Sequence, residues 1–127
     1  MSALERYYQA RYSRFKDLLT WRQHVLLLLK AVRKVLPDAD MYVFGSALRD
    51  ELTANSDVDV LVVSEMIRGA ERHRIAVAIE EEMENPSIFE MHLVNRDEMN
   101  WYLKHAGKLV SAEEITPEKR DELNDSQ

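Results

Sequence analysis

Hydrophobic residues recur at helical spacing along the first part of the chain. They predict a helical arm over residues 1–20 and a core helix over about 21–36. Thr20 to Gln23 has the residue types of a helix capping box, so we place the break between the two helices near Thr20. The apolar positions are Leu4, Tyr8, Phe15 and Leu19 in the first helix, and Trp21, Val25, Leu28, Leu29, Val32 and Leu36 in the second.

Shorter apolar segments follow the second helix and alternate with further helical patterns. We predict strands over 40–44, 58–63 and 87–95. The segment 58–63 is continuously apolar and rich in β-branched residues, which is typical of a central strand buried on both faces. Helical spacing predicts two more helices, over 70–84 and about 95–105, and the second begins with an asparagine suited to capping.

The length and composition indicate one domain. The 127 residues include 46% hydrophobic and 31% charged residues, enough for a core of their own, and we see neither a repeat nor a second domain. We assign residues 21–110 to this domain. Residues 111–127 contain six acidic and two basic residues and few apolar ones, so we predict a flexible acidic tail.

Charge and cysteine content narrow the classes of partner and compartment. Residues 1–36 contain eight basic and two acidic residues, so this segment has a charge of +6, against −6 for the whole chain. The basic segment is either a solvated helix face or a docking surface for an acidic partner or RNA. With no cysteine, no signal peptide and no apolar run long enough to span a bilayer, we expect a cytoplasmic protein without membrane contact.

One segment between the first two predicted strands has residues suited to nucleotide chemistry. Gly45 and Ser46 form a predicted turn, and a Ser-Asp-Val-Asp segment ending at Asp59 opens the next strand after nine intervening residues. A Gly-Ser turn before a helix offers N–H groups and a hydroxyl to a phosphate. Side chains at i and i+2 of a strand share a face, about 7 Å apart along the strand. The carboxylates of Asp57 and Asp59 can therefore bind divalent metal.

This arrangement resembles the signature of the polymerase-β-type nucleotidyltransferase superfamily, and the short chain resembles its minimal, MNT-type branch. The segment from Glu90 to His92 is similar to a Glu-x-His strand of some small prokaryotic and archaeal members. The resemblance covers about residues 24–105. It implies an α/β (α+β) fold in which a small mixed β-sheet has helices packed mainly on one side.

The resemblance also implies a reaction. Members of the family transfer a nucleoside monophosphate from an NTP, here most simply ATP, to an acceptor hydroxyl and release pyrophosphate. Two Mg²⁺ ions, or Mn²⁺ in their place, lie between three carboxylates, which Asp57, Asp59 and Glu90 match in this chain. Such ions activate the acceptor hydroxyl and neutralise the triphosphate, and carboxylates suit hard cations.

The nucleotide- and phosphate-binding residues implied by the resemblance are Gly45, Ser46, Arg49 and Ser56. Each also has a purely structural explanation: a tight turn for the glycine, a solvated helix for the arginine, and a loop cap for Ser56. Many family members have Arg-Gly where this chain has Arg49 followed by Asp50. The aspartate adds negative charge beside the expected triphosphate, which works against the binding of NTP.

Other residues near the motif have two explanations each. Glu90 is either the third metal ligand or a solvent-facing residue of a one-sided sheet. His92 lies two residues further on the same face, where a histidine is either structural or in contact with substrate or metal. The remaining histidines, the tryptophans and the tyrosines are assigned to packing or to the surface.

Two functions of different classes follow. The first is an active nucleotidyltransferase, which by family resemblance acts as the antitoxin partner of a helical HEPN-type protein. The alternative is a catalytically inactive module of the same fold that binds a protein or RNA partner, a role that the intact carboxylate set disfavours. The sequence leaves open the acceptor, the preferred base, the binding of nucleic acid and the oligomeric state.

Overall fold

The computed structural model describes residues 1–83 and 88–115. Two helices precede a four-stranded sheet, and two more helices connect or flank its strands. The helices are α1 (Ala3–Leu19), α2 (Trp21–Val35), α3 (Arg72–Glu81) and α4 (Arg96–His105). The strands are β1 (Asp40–Phe44), β2 (Val58–Val63), β3 (Phe89–Val94) and β4 (Val110–Ser111).

The sheet is mixed, with the strand order β3-β2-β1-β4. The β2 and β3 strands run parallel, whereas β1 pairs antiparallel with both β2 and β4. The 58–63 segment is one of the two central strands, and every residue of it except Asp59 is buried. The predictions of a mixed sheet and of a buried central strand are therefore confirmed.

The two faces of the sheet pack against different helices. One face packs on α2 and α3, where Leu28 and Ile79 are fully buried; full burial of such a side chain contributes about 1.5–3 kcal/mol. The other face has a smaller cluster around Phe44 and Leu61, against which Tyr102 of α4 packs. Helices thus lie mainly on one side, as predicted, and the face under α4 has room for polar groups near one end.

The first two helices meet at the predicted break, but with a different cap, while α3 is shorter than the helix predicted over 70–84. The α1 helix ends and α2 begins at Thr20, but the Thr20 side chain does not cap α2. Its hydroxyl instead donates to the carbonyl of Lys16 at 3.1 Å, so the predicted capping box there is wrong. An N-cap residue typically has extended backbone angles. The backbone angles of Thr20, which ends α1, are not extended. The cap predicted at Asn95 is confirmed, with a complete capping box.

The first helix is exposed along most of its length. Leu18 is its one buried residue, while Tyr7, Tyr8 and Tyr12 are more than half exposed. None of the helices in residues 1–83 and 88–115 is both long enough and apolar enough to cross a bilayer.

The start of the predicted acidic tail is packed. Ser111 belongs to β4, and Ala112 and Ile115 are buried against the core, so the predicted flexibility is wrong for residues 111–115. The composition did not predict this packing, because only a few apolar residues hold an otherwise acidic segment against the core. The Ser111 hydroxyl and the Arg33 guanidinium also hold the pKa of Glu113 below its usual value. The rest of the predicted tail, 116–127, lies outside the described residues.

An ion pair joins the first residue of α3 to α4 and β3. The Arg72 guanidinium donates to both carboxylate oxygens of Glu98, at 2.6 and 2.7 Å, and to the carbonyl of Leu93 at 2.6 Å. Glu98 also accepts from the backbone N–H of Asn95 as part of the α4 capping box. Arg72 and then this N–H hold the pKa of Glu98 below its usual 4.5.

We predict that Glu98→Gln lowers stability at neutral pH and flattens its acid dependence. The lowered pKa means that ionised Glu98 stabilises the fold above its unfolded pKa, and that this contribution disappears as the pH falls through the folded value. For a half-exposed pair with a helix cap we expect a loss of about 1 kcal/mol at neutral pH, measured by urea unfolding. The matched control is Glu80→Gln on exposed α3 surface. A difference in the free energy of unfolding between wild type and Glu98→Gln that does not become smaller on acidification would contradict this prediction.

Candidate metal and nucleotide site

Two carboxylates lie side by side at one end of the sheet. Asp59 is the second residue of β2, and Glu90 is the second residue of β3. The parallel register pairs them directly, while Asp59 also faces Phe44 across the antiparallel β1 pairing. Since side chains alternate along a strand, Asp59 and Glu90 share the face on which α4 packs. The sheet thus brings together two residues that are far apart in sequence.

A histidine completes this group. Ligand atoms of Asp59, Glu90 and His92 all lie within 4.8 Å of one another. The His92 Nε2 atom is 3.4 Å from Asp59 Oδ1 and 4.0 Å from Glu90 Oε1. The side chains of Asp59 and His92 are about one quarter exposed, and that of Glu90 is 58% exposed. This cluster is open to solvent on the Glu90 side and enclosed on the other.

Aromatic residues fix the position of the histidine ring. The His92 Nδ1 atom lies 3.2 Å from the hydroxyl of Tyr102 on α4. Phe44, at the end of β1, contacts both rings edge-on, with centroids 5.1 Å from His92 and 5.9 Å from Tyr102. Sequence reasoning assigned Tyr102 to packing alone. Its role beside the histidine had no sequence pattern, because the two residues meet only through the packing of α4 on β3.

The backbone of Gly45 lies directly against the Asp59 carboxylate. Gly45 has a φ of +80°, and a Cβ atom on it would be 2.7 Å from Asp59 Oδ2. Glycine is therefore required twice, for the left-handed backbone and for the close approach. The turn predicted from the Gly-Ser pair is confirmed. Residues Gly45–Arg49 form a short 3₁₀ helix.

Asp57 is held by the first helix and lies outside this cluster. It precedes β2, and its Oδ1 accepts from Nη2 of Arg14 at 2.5 Å. The same arginine donates to the carbonyl of Ser56, and Arg11 donates to Asn55 in the same loop. Asp57 is therefore not among the three residues whose ligand atoms converge, and its expected role as a metal ligand stays a prediction. Sequence reasoning missed Arg14, because nothing in a basic helix indicates a contact with a residue 43 positions away.

The remaining predicted phosphate-binding residues occupy the two loops beside the cluster. Ser46 is half-buried, and its hydroxyl has no hydrogen bond to the residues that the structure describes. Arg49 donates to Glu51 at 2.9 Å and its side chain is 58% exposed. The Ser56 hydroxyl accepts from the backbone N–H of Thr53 at 2.8 Å and so closes the loop before β2. Their contacts with nucleotide stay predictions.

The unusual Arg49-Asp50 pair has a backbone explanation. Asp50 has left-handed backbone angles, with φ of 54° and ψ of 37°. Glycine adopts this conformation most readily, and aspartate is one of the few other residues that tolerate it. The turn after the 3₁₀ helix thus keeps a glycine-like shape with an aspartate in it.

A cavity of about 230 Å³ lies between α1 and the loop before β2. Its lining consists of Arg11, Arg14, Phe15, Ala54 and Asn55. Arg14, one of the lining residues, also bonds to Asp57, which follows this loop in the sequence. Two guanidinium groups give the cavity a positive wall beside the loop before β2.

The donor set of the cluster fits a divalent cation. Metal–ligand bonds of about 2.1 Å place ligand atoms of one ion up to about 4.2 Å apart. The distances of 3.4 and 4.0 Å from His92 Nε2 to the two carboxylates fall within this range. Two carboxylates that converge without a cation repel each other, and a bound cation removes that repulsion. Asp59, Glu90 and His92 are therefore the residues that can hold one.

Comparison with known proteins gives one family. The sequence model of a protein family described as the nucleotidyltransferase domain matches residues 26–118, well over half of the chain. This range includes the carboxylate cluster and Gly45, and it leaves out α1. No curated protein matches the sequence.

Two solved structures share the fold. One is a protein of Sulfolobus solfataricus whose assignment as a nucleotidyltransferase is itself provisional. It is 17% identical, with a TM-score of 0.51, over 79% of this chain and 82% of that one. A second structure with the same provisional assignment is 21% identical, with a TM-score of 0.50, over 69% of this chain and 96% of that one. Likeness at such identities shows the fold alone.

We predict that Gly45→Ala and Gly107→Ala destabilise the fold similarly but that only the first damages the site. Both glycines have similar positive φ, +80° and +73°, so each alanine costs about 1–2 kcal/mol of backbone strain. Only at Gly45 does the new methyl group meet Asp59, and because that side chain can rotate, its carboxylate is displaced. Urea unfolding measures the first effect and Mn²⁺ titration the second. Equal Mn²⁺ affinities in the two variants would contradict this account of Gly45.

Proposed function

The chain belongs to the nucleotidyltransferase domain family, and we propose that it transfers a nucleoside monophosphate from an NTP to an acceptor hydroxyl in a divalent-metal-dependent reaction. The observation that carries this proposal is the close approach of the Gly45 backbone, Asp59 and Glu90 at one end of the sheet. A phosphate-binding turn and a pair of metal-binding carboxylates would then be adjacent. ATP as donor and Mg²⁺ as cofactor belong to the proposal through family resemblance.

The residues of the chain have separate tasks in this proposal. Asp59 and Glu90 would hold the cation, which when bound supplies charge neutralisation for the triphosphate and lowers the pKa of the acceptor hydroxyl. Gly45 lets the backbone approach closely, and the Ser46 hydroxyl next to it is available to a phosphate oxygen. Asp57 would join the site once its carboxylate is released from Arg14 or shared with it.

The acceptor surface is formed outside the matched family region in this proposal. The α1 helix precedes residues 26–118, yet Arg11 and Arg14 contact the loop next to Asp57. In this proposal the basic cavity under α1 would bind an acceptor with negative charge. A protein side chain, an RNA end and a small molecule all stay open as acceptors.

A second candidate function is a non-catalytic partner-binding module. One observation favours it: α1 exposes Leu4, Tyr7, Tyr8 and Tyr12, each by more than half. An exposed stripe of this kind fits a helical protein partner, such as the HEPN-type partner that family resemblance implies. The two functions are compatible, because the stripe and the carboxylate cluster use different residues.

We predict that Asp59→Asn abolishes metal-dependent nucleotide binding and transfer while the protein stays folded. Losing a carboxylate ligand should weaken Mg·ATP binding by about 100-fold or more. The free energy of unfolding should stay level or rise, because the charge repulsion with Glu90 disappears. Calorimetric titration of ATP with Mg²⁺, then incubation with ATP labelled at the α-phosphate, measures both steps.

The matched control for this experiment is Asp40→Asn. Asp40 begins β1 and pairs with Val63 at the other end of β2, so its loss should change neither binding nor labelling. A folded wild type that binds none of the four NTPs in the presence of Mg²⁺ or Mn²⁺ would overturn the proposed activity and leave the partner-binding module.

We also predict that Arg14→Gln tightens the binding of divalent cations. The Arg14 guanidinium is itself a cation on Asp57, so its removal frees a carboxylate and lowers the positive charge nearby. Since Asp57 is 46% exposed, the gain should be modest, up to about fivefold. The control is Arg11→Gln, because Arg11 donates to Asn55 of the same loop. A weaker affinity in Arg14→Gln, measured by Mn²⁺ titration, would show instead that Arg14 positions Asp57 for the metal.

A further inference from the structure

We propose that His92 is a direct metal ligand and that it gives this site a preference for a first-row transition ion such as Mn²⁺ or Co²⁺ over Mg²⁺. This inference rests on the proposed function and deepens it, because it names the class of cation. The juxtaposition behind it is the cluster of Asp59, Glu90 and His92, whose ligand atoms converge within 4.8 Å.

The geometry places a nitrogen at a ligand position. His92 Nε2 points to both carboxylates, at 3.4 Å from Asp59 Oδ1 and 4.0 Å from Glu90 Oε1. Ligands of one octahedral or tetrahedral ion are separated by about 3.0–4.2 Å when the bonds are about 2.1 Å long. Asp59 and Glu90 alone would offer oxygen only. With His92 the site offers two oxygens and one nitrogen.

The other ring nitrogen supports the tautomer that a ligand needs. His92 Nδ1 lies 3.2 Å from the Tyr102 hydroxyl, which can accept its proton. Nε2 then presents a lone pair toward the two carboxylates, which is the form that coordinates a cation; with the proton on Nε2 the ring instead donates to Asp59 Oδ1 at 3.4 Å. Metal-binding histidines usually have such a partner on the second nitrogen, which fixes the tautomer and the ring orientation. Phe44 packs edge-on against the same ring and restricts it further.

The nitrogen donor decides the class of metal. Mg²⁺ prefers oxygen ligands and keeps several waters, whereas imidazole suits transition ions, whose affinities rise from Mn²⁺ through Co²⁺. A set of two carboxylates and one imidazole therefore favours the transition ions more than the three-carboxylate set expected from the sequence motif does. His92 becomes the residue that sets this selectivity.

The test is pulsed electron paramagnetic resonance of Mn²⁺ bound to protein labelled with [¹⁵N]histidine and to unlabelled protein. Mn²⁺ is used alone and with inorganic triphosphate, which contains no nitrogen. A coordinated imidazole should give a ¹⁴N modulation that changes to the ¹⁵N pattern in the labelled protein. This comparison needs no variant, so it holds whether or not a substitution folds.

Two variants identify which histidine supplies the coordinating nitrogen. His92→Gln should remove the modulation and weaken Mn²⁺ binding by about 10- to 100-fold, the range seen when support for a metal site is lost. Its effect on Mg²⁺ binding should be much smaller. The control His105→Gln alters an exposed histidine that contacts Trp101 at the far end of α4, and it should keep the modulation.

The outcomes separate this inference from the proposed function. Histidine modulation that disappears in His92→Gln supports it. Mn²⁺ that binds in an Asp59-dependent way without histidine modulation, or with modulation that survives in His92→Gln, overturns the inference and leaves the proposed function standing. A folded wild type that binds neither Mn²⁺ nor Mg²⁺, alone or with triphosphate, overturns both.

Discussion

The contact between Gly45 and Asp59 is the constraint on which the candidate site depends. The antiparallel pairing of β1 with β2 ends at Phe44 opposite Asp59, so the chain must turn directly against that carboxylate. A Cβ atom at Gly45 would be 2.7 Å from Asp59 Oδ2. The same strand pairs in parallel with β3 and sets Glu90 beside Asp59. One glycine and two strand registers thus bring a turn, two carboxylates and the His92 ring together.

Much of this arrangement could be predicted from the sequence because it depends on short-range patterns. The continuously apolar 58–63 segment predicted a buried central strand, and the alternation along 87–95 put Glu90 and His92 on one face. The Gly-Ser pair predicted the turn. Periodicity is informative here because side-chain direction in a strand is fixed by the backbone.

The parts that could not be predicted are contacts between distant segments. The i and i+2 spacing predicts that Asp57 and Asp59 act as a pair, which stays a prediction, but it gives no sign that Arg14 of α1 bonds to Asp57. Likewise, Tyr102 reaches His92 only because α4 folds back over β3. Composition also misassigned residues 111–115, since Ala112 and Ile115 are buried by packing against the main hydrophobic core. Each of these depends on tertiary packing, which local pattern does not encode.

The central claim is that a divalent cation binds between Asp59 and Glu90 at the turn made by Gly45. The most direct measurement is diffraction at the manganese absorption edge from crystals grown with Mn²⁺ and a non-hydrolysable ATP analogue. The account predicts an anomalous peak within bonding distance of carboxylate oxygens of both Asp59 and Glu90, with the triphosphate next to the turn at Gly45. An ordered analogue whose manganese lies away from both carboxylates would contradict it.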